Sequence, residues 1–136
     1  MSVAIRPFAD SNVLLHLLSG DAAKADRSEA LLAQGLTISV QVLNECTNVG
    51  RRKFGLSWPE VDEVLRDIRG FATVLPLTIE THEAGLQLAQ RYQLALSDAM
   101  IVASALLAGC HTLYSEDMHH GLRIERSLTI RNPFLA

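Results

Sequence analysis

The chain contains 136 residues, of which 49% are hydrophobic and 20% are charged, and its formal net charge is −3. This length and hydrophobic content suit one sizeable core, so we expect a single domain over residues 1–136. The chain has no apolar run of the roughly 18 residues that a membrane span needs. It also lacks the features of a signal peptide, so we expect a soluble, cytoplasmic protein with no membrane partner.

The first half of the chain alternates apolar strands with amphipathic helices. The predicted elements are an apolar strand at 3–9, helices at 13–18 and 21–34, a strand at 36–39 and a helix at 40–53. Ser57 and Glu60 have the spacing of a capping box, and Pro59 is tolerated in a first turn. These residues predict a further helix that ends near residue 69.

The second half continues the alternation. The predicted elements are a strand at 71–77, a helix at 79–93, a helix at 98–108 capped by Ser97, a strand at 112–115 and an edge strand at 128–131. Strands separated by helices of this length favour parallel pairing. The sequence therefore predicts an α/β fold with a central parallel sheet of four to five strands and helices on both faces.

Three acidic residues stand where strands end or a helix begins. Asp10 and Asp117 follow strand-like runs, and Asp98 lies at the head of an uncharged helix. In an open parallel sheet these positions share one edge, where ligands bind in a crevice. Carboxylates gathered there repel one another unless cations or protons intervene, so the pattern predicts a divalent metal site.

Glu45 and three small polar residues are further candidates. Glu45 lies in the first half of the predicted helix at 40–53, near the same sheet edge. It could equally belong to the polar stripe of an amphipathic helix, and that alternative stays open. Ser11, Asn12 and Ser115 adjoin the acids and are expected to orient a carboxylate or a metal-bound water, unless they are ordinary helix caps.

The net charge of −3 at first argues against a nucleic-acid partner. Neutralising the four acids by bound cations would change it to +1, and ten of the twelve basic residues are arginines, which suit phosphate well. One cluster is Arg51, Arg52 and Lys53, and a looser one lies between residues 123 and 131. Solvated helix and loop faces would show the same pattern.

Four segments together resemble the signature segments of PIN domains, and most closely those of VapC-type toxins of bacterial toxin–antitoxin pairs. The segments are residues 9–15, 43–45, 96–105 and 113–121. The resemblance implies an endoribonuclease that depends on Mg²⁺ or Mn²⁺ and acts on an RNA substrate. It also implies a homodimer and inhibition by a small VapB-like antitoxin.

The resemblance also assigns roles by position. Asp10, Glu45, Asp98 and Asp117 match the acidic quartet of the family, and Glu116 is a candidate to share the role of Asp117. Hard oxygen ligands suit Mg²⁺ or Mn²⁺, and such ions can activate water for phosphodiester hydrolysis. We therefore expect Asp10, Asp98 and Asp117 to bind metal, and Glu45 to bind a second ion or to orient the attacking water.

Two alternatives remain at this point. Asp10 at the end of a strand is also typical of aspartyl-phosphate proteins, such as haloacid-dehalogenase-like phosphatases and receiver domains. Those proteins place a lysine late in the chain, whereas Lys24 and Lys53 are the only lysines of this sequence. A catalytically silent PIN-type binding module is the second alternative, and the loss of one acid would favour it.

Overall fold

The structure is a computed structural model that describes residues 5–135. Two residues of the predicted first strand, 3 and 4, lie outside this range. The strands are β1 (Phe8–Ala9), β2 (Leu36–Ser39), β3 (Ala72–Leu75), β4 (Thr112–Tyr114), β5 (Arg123–Ile124) and β6 (Leu128–Arg131). The helices are α1 (Ser11–Leu15), which a 3₁₀ turn extends to Leu18, α2 (Ala22–Gln34), α3 (Val40–Arg52), α4 (Trp58–Phe71), α5 (Ile79–Tyr92) and α6 (Leu96–Leu107).

The strands form one sheet in the order β3-β2-β1-β4-β6-β5. Five of these strands, from β3 to β6 in this order, are mutually parallel, which confirms the predicted parallel sheet. The sixth, β5, pairs antiparallel with β6. The chain leaves the central strand β1 toward β2 on one side and returns to β4 on the other. This change of direction creates the crevice that binds ligands in open α/β sheets, and it lies beyond the end of β1.

Helices cover both faces of this sheet, as predicted. Successive residues of a strand point to opposite faces, and Phe8 and Ala9 of β1 are both 0% exposed. Leu36 and Ile38 of β2 are also 0% exposed, and Thr37 between them is 7% exposed. Both faces of the central strands are therefore packed against other elements.

The middle of helix α6 is buried, as its uncharged sequence after Asp98 predicts. Ile101, Val102, Ala103 and Ala105 are each 0% exposed, and α6 packs against β2, β4 and, most extensively, α5. Within residues 5–135, no helix is long and apolar enough to cross a bilayer.

Three local predictions were wrong. The strand at 128–131 is not at the edge of the sheet, because the short strand β5 pairs with its outer side. Helix α6 begins at Leu96 and not after Ser97, since Ala95 takes the N-cap conformation without a side-chain hydrogen bond. The first strand is also shorter than expected, and Ile5 lies outside it with an exposure of 51%.

Candidate active site

Asp10 occupies the crevice beyond the end of β1. Its extended backbone makes it the N-cap of α1, and Oδ1 accepts a hydrogen bond of 2.7 Å from the backbone N–H of Ser11. The carboxylate is only 3% exposed. The strand end and the helix start therefore place one charged group inside the protein.

Two side chains from different parts of the chain hold the second oxygen of Asp10. Oδ2 accepts hydrogen bonds from Ser115 Oγ at 2.9 Å and from Asn12 Nδ2 at 3.1 Å. Ser115 follows β4 and is itself fixed, because its Oγ accepts a bond of 3.2 Å from the N–H of Met118. The structure thus brings Ser115 and Asn12 to the carboxylate that they were expected to orient.

Burial makes Asp10 difficult to ionise. It raises the pKa of Asp10 from its ordinary value of 3.8 to about 6, although the hydrogen bonds from Ser115 and Ser11 act in the opposite direction. The negative charges of Glu45 and Asp98 raise this pKa further. Near neutral pH the site therefore holds negative charge that a cation would stabilise.

Glu45 faces this cluster from α3. Its Oε2 accepts a hydrogen bond of 2.8 Å from Ser11 Oγ, and its Oε1 accepts one of 3.3 Å from Gln41 Nε2. Ser11 Oγ also lies 3.4 Å from Asp10 Oδ1. A hydroxyl donates one proton at a time, so Ser11 donates chiefly to Glu45 while its backbone N–H holds Asp10. Glu45 thus belongs to the site as well as to the polar stripe of its helix.

Asp98 and Asp117 complete the group of acids. Asp98 lies in the first turn of α6 and is half-buried, and Asp117 follows β4 in an exposed turn. Burial raises the pKa of Asp98, and the charges of Glu45 and Asp117 raise it further. The charges of Glu45 and Asp98 thus act on Asp10, and those of Glu45 and Asp117 act on Asp98, which indicates that the four predicted acids lie near one another.

Glu116 is engaged elsewhere. Its Oε1 lies 2.8 Å from His16 Nε2, and its Oε2 lies 2.6 Å from Lys24 Nζ. Partial burial would raise the pKa of Glu116, but the bonds from Lys24 and His16 outweigh it and hold the pKa below its usual range. Its backbone N–H donates to Asn12 Oδ1 at 3.0 Å. Glu116 therefore anchors the turn that carries Asp117, whereas sequence reasoning placed it beside Asp117 as a possible ligand.

The donors fit a hard divalent cation in chemistry. All four acids offer carboxylate oxygens, the ligands that Mg²⁺ and Mn²⁺ prefer. A cation between them would relieve the cost of charging buried Asp10 and half-buried Asp98. In their present conformation, no three His, Cys, Asp or Glu side chains of residues 5–135 are close enough to enclose an ion.

Residues 8–121 match the PIN domain family, and the chain belongs to that family. This match confirms the resemblance drawn from the four segments and removes the aspartyl-phosphate alternative. No curated relative matches the chain.

Solved structures of toxins share the fold. A toxin–antitoxin complex from Klebsiella pneumoniae is 24% identical, with a TM-score of 0.71 over 94% of this chain and 98% of that chain. VapC20 of Mycobacterium tuberculosis, a sarcin–ricin loop cleaving toxin, is 19% identical, with a TM-score of 0.67 over 81% and 88%. VapBC2 of Rickettsia felis, bound to a DNA fragment of its promoter, is 16% identical, with a TM-score of 0.68 over 92% and 96%.

Proposed function

We propose that this PIN domain is a metal-dependent endoribonuclease of the VapC toxin type. The observation that carries the proposal is the position of Asp10 at the end of β1, where Ser11 links it to Glu45 by hydrogen bonds. Asp98 lies in the first turn of α6, and Asp117 follows β4, the strand that pairs with β1. Four carboxylates at one edge of an α/β sheet suit divalent cations and, through them, phosphate. All four acids are present, which disfavours a catalytically silent binding module.

In this mechanism Asp10, Asp98 and Asp117 would hold Mg²⁺ or Mn²⁺. When bound, such an ion neutralises charge on the phosphate and lowers the pKa of water. Ser115 and Asn12 keep the Asp10 carboxylate in one orientation through bonds of 2.9 and 3.1 Å. Glu45, held by Ser11 at 2.8 Å, would bind a second ion or orient the attacking water.

RNA is the proposed substrate, and a VapB-like antitoxin is the proposed partner. VapC20, which shares the fold, is a sarcin–ricin loop cleaving toxin, and two other neighbours are toxin–antitoxin assemblies. The exposed apolar side chain of Trp58, 63% accessible at the start of α4, suits contact with another chain such as an antitoxin or the second subunit of a homodimer. With RNA as its substrate, the protein is proposed to act in the cytoplasm.

The decisive experiment compares RNA cleavage by the wild type and by Asp98→Asn. We expect the wild type to cleave RNA with Mg²⁺ or Mn²⁺ and to stop when EDTA is added. Asp98→Asn should lose cleavage, whereas the exposed control Asp26→Asn should keep it. Equal cleavage by wild type and Asp98→Asn, or cleavage that persists in EDTA, would overturn the mechanism.

A further inference from the structure

A cavity of about 340 Å³ opens beside the acid cluster. Its volume lies within the range of pockets that bind small molecules. Two of its lining residues, Asn12 and Asp117, belong to the site described above, so the cavity is continuous with the crevice. The other lining residues are Leu15, His16, Ser19, Val49, Lys53, Phe54 and Glu116.

One wall of the cavity continues the helix face that carries Glu45. Val49 and Lys53 follow Glu45 at intervals of four residues, so the three side chains form one stripe along α3 and its C-cap. Eight residues of helix span about 12 Å. If the scissile phosphate of a nucleic acid strand lies at the acids, a neighbouring nucleotide of that strand would therefore reach Lys53.

The opposite wall is rigid. Both nitrogens of His16 are engaged, Nε2 with Glu116 at 2.8 Å and Nδ1 with Ser19 Oγ at 3.4 Å. The imidazole also packs edge-on against Phe134, with ring centroids 4.6 Å apart. Contacts with Glu116, Ser19 and Phe134 thus fix the position of His16 in the wall of the cavity.

Lys53 and Phe54 provide a charge and an aromatic face at the same mouth. Lys53 is exposed and forms no ion pair within the described part of the chain, whereas Lys24 is held by Glu116. The Lys53 ammonium lies over the ring of half-buried Phe54, 5.8 Å from its centre, so a base that stacks on this face takes the place of the ammonium. A cation beside an aromatic ring is the usual arrangement for binding single-stranded nucleic acid, where the ring stacks on a base.

We propose that this cavity is a nucleotide subsite, in which a base next to the scissile phosphate stacks on Phe54 and its phosphate pairs with Lys53. The inference rests on the proposed ribonuclease activity. An unstacked base is needed, so the subsite takes single-stranded RNA and not a duplex.

The test measures binding of a labelled single-stranded RNA to protein that also carries Asp98→Asn, with Mg²⁺ present, by fluorescence anisotropy. Phe54→Leu should weaken binding about tenfold, within the range of a base–aromatic stack. Phe54→Tyr should restore it. Lys53→Gln should weaken binding and reduce its salt dependence, and Lys53→Arg should restore both.

Two matched controls separate the subsite from general effects. Phe71→Leu removes an exposed aromatic ring that lines a different groove, and Arg52→Gln removes a charge from the same helical turn as Lys53. Neither substitution should weaken RNA binding as Phe54→Leu and Lys53→Gln do. Abasic RNAs add a stricter control. When the base proposed to stack on Phe54 is missing, RNA binding to the parent protein, which retains Phe54, should weaken. Binding of the same abasic RNA to Phe54→Leu should be as strong as binding of the intact RNA.

Two results would refute the subsite. In the first, every abasic position weakens RNA binding equally for the parent protein and for Phe54→Leu. In the second, Phe54→Leu binds the intact RNA as tightly as the parent does. If wild-type protein cleaves no RNA in the experiment with metal, the proposed function fails. The binding result still decides the subsite in that case, because it does not depend on cleavage.

Discussion

Replacing Asp10 with asparagine should stabilise the metal-free protein at neutral pH and change it little near pH 4. The pKa of Asp10 is about 6 in the folded protein, against an ordinary value of 3.8. A shift of about two pKa units corresponds to about 3 kcal/mol, because each unit is worth about 1.4 kcal/mol. The carboxylate is 3% exposed, so solvent screens little of this cost.

The sign follows from the direction of the shift. Because the folded-state pKa is the higher one, the stability associated with protonated Asp10 is fully present below about pH 3.8 and is lost as the pH rises through about 6. Asparagine is neutral at every pH and has nearly the shape of the protonated carboxyl group. The variant therefore avoids this loss, and the two proteins should diverge between about pH 4 and pH 6.

Urea unfolding in EDTA measures the effect directly. The free energy of unfolding of Asp10→Asn minus that of the wild type should rise by about 3 kcal/mol between about pH 4 and pH 7.5. Asp26→Asn, an exposed carboxylate on α2, serves as the control. A difference that stays constant across this pH range would refute the argument that burial raises the pKa of Asp10.

Three further predictions concern the ion, the orientation of Asp10 and the core. Mg²⁺ at about 100 times its dissociation constant should stabilise the wild type by about 2.7 kcal/mol in thermal unfolding, with a smaller effect on Asp10→Asn; equal stabilisation of both would argue against Asp10 as a ligand. Ser115→Ala removes a bond of 2.9 Å to Asp10 and should lower RNA cleavage about 10- to 100-fold, so unchanged cleavage would show that this orientation is dispensable. Ile101→Ala, at a position 0% exposed in α6, should cost about 2–5 kcal/mol in urea unfolding, and a cost below about 1 kcal/mol would contradict the packing described.

Local signals explain why most helices could be predicted. The capping box of Ser57 and Glu60 forms as expected, with bonds of 3.2 Å and 3.0 Å, because its partners are three residues apart. The start of α6 was misplaced by the same kind of reasoning. Ser97 has the right chemistry for a cap, but the helix already begins at Leu96, with Ala95 at the N-cap and no side-chain hydrogen bond there.

Strand β5 had no local signal at all. It contains two residues and depends on pairing with β6. The turn between these strands places Glu125 and Arg126 at positive φ, 50° and 61°, where glycine or asparagine is usual. Since neither residue type marks a turn of this kind, the hairpin could not be predicted from the sequence.

The candidate site divides in the same way. The alternation of strands and helices was enough to place Asp10, Asp98 and Asp117 at one sheet edge. The contacts of Glu116 with His16 and Lys24 join residues 100 and 92 positions apart, and no spacing rule connects them. The acids could therefore be predicted from the sequence, whereas the contacts of His16 and Lys24 with the turn that carries Asp117 could not.

The bond between Ser115 and Asp10 has a consequence for synthesis of the chain. Its partners are 105 residues apart, and at about 5–20 residues per second the ribosome makes Ser115 roughly 5–20 s after Asp10. Until β4 pairs beside β1, Asp10 lacks the hydrogen bond from Ser115 and has no Asp117 nearby. The acid cluster on which the proposed activity depends therefore cannot form until nearly all of the sheet has been synthesised.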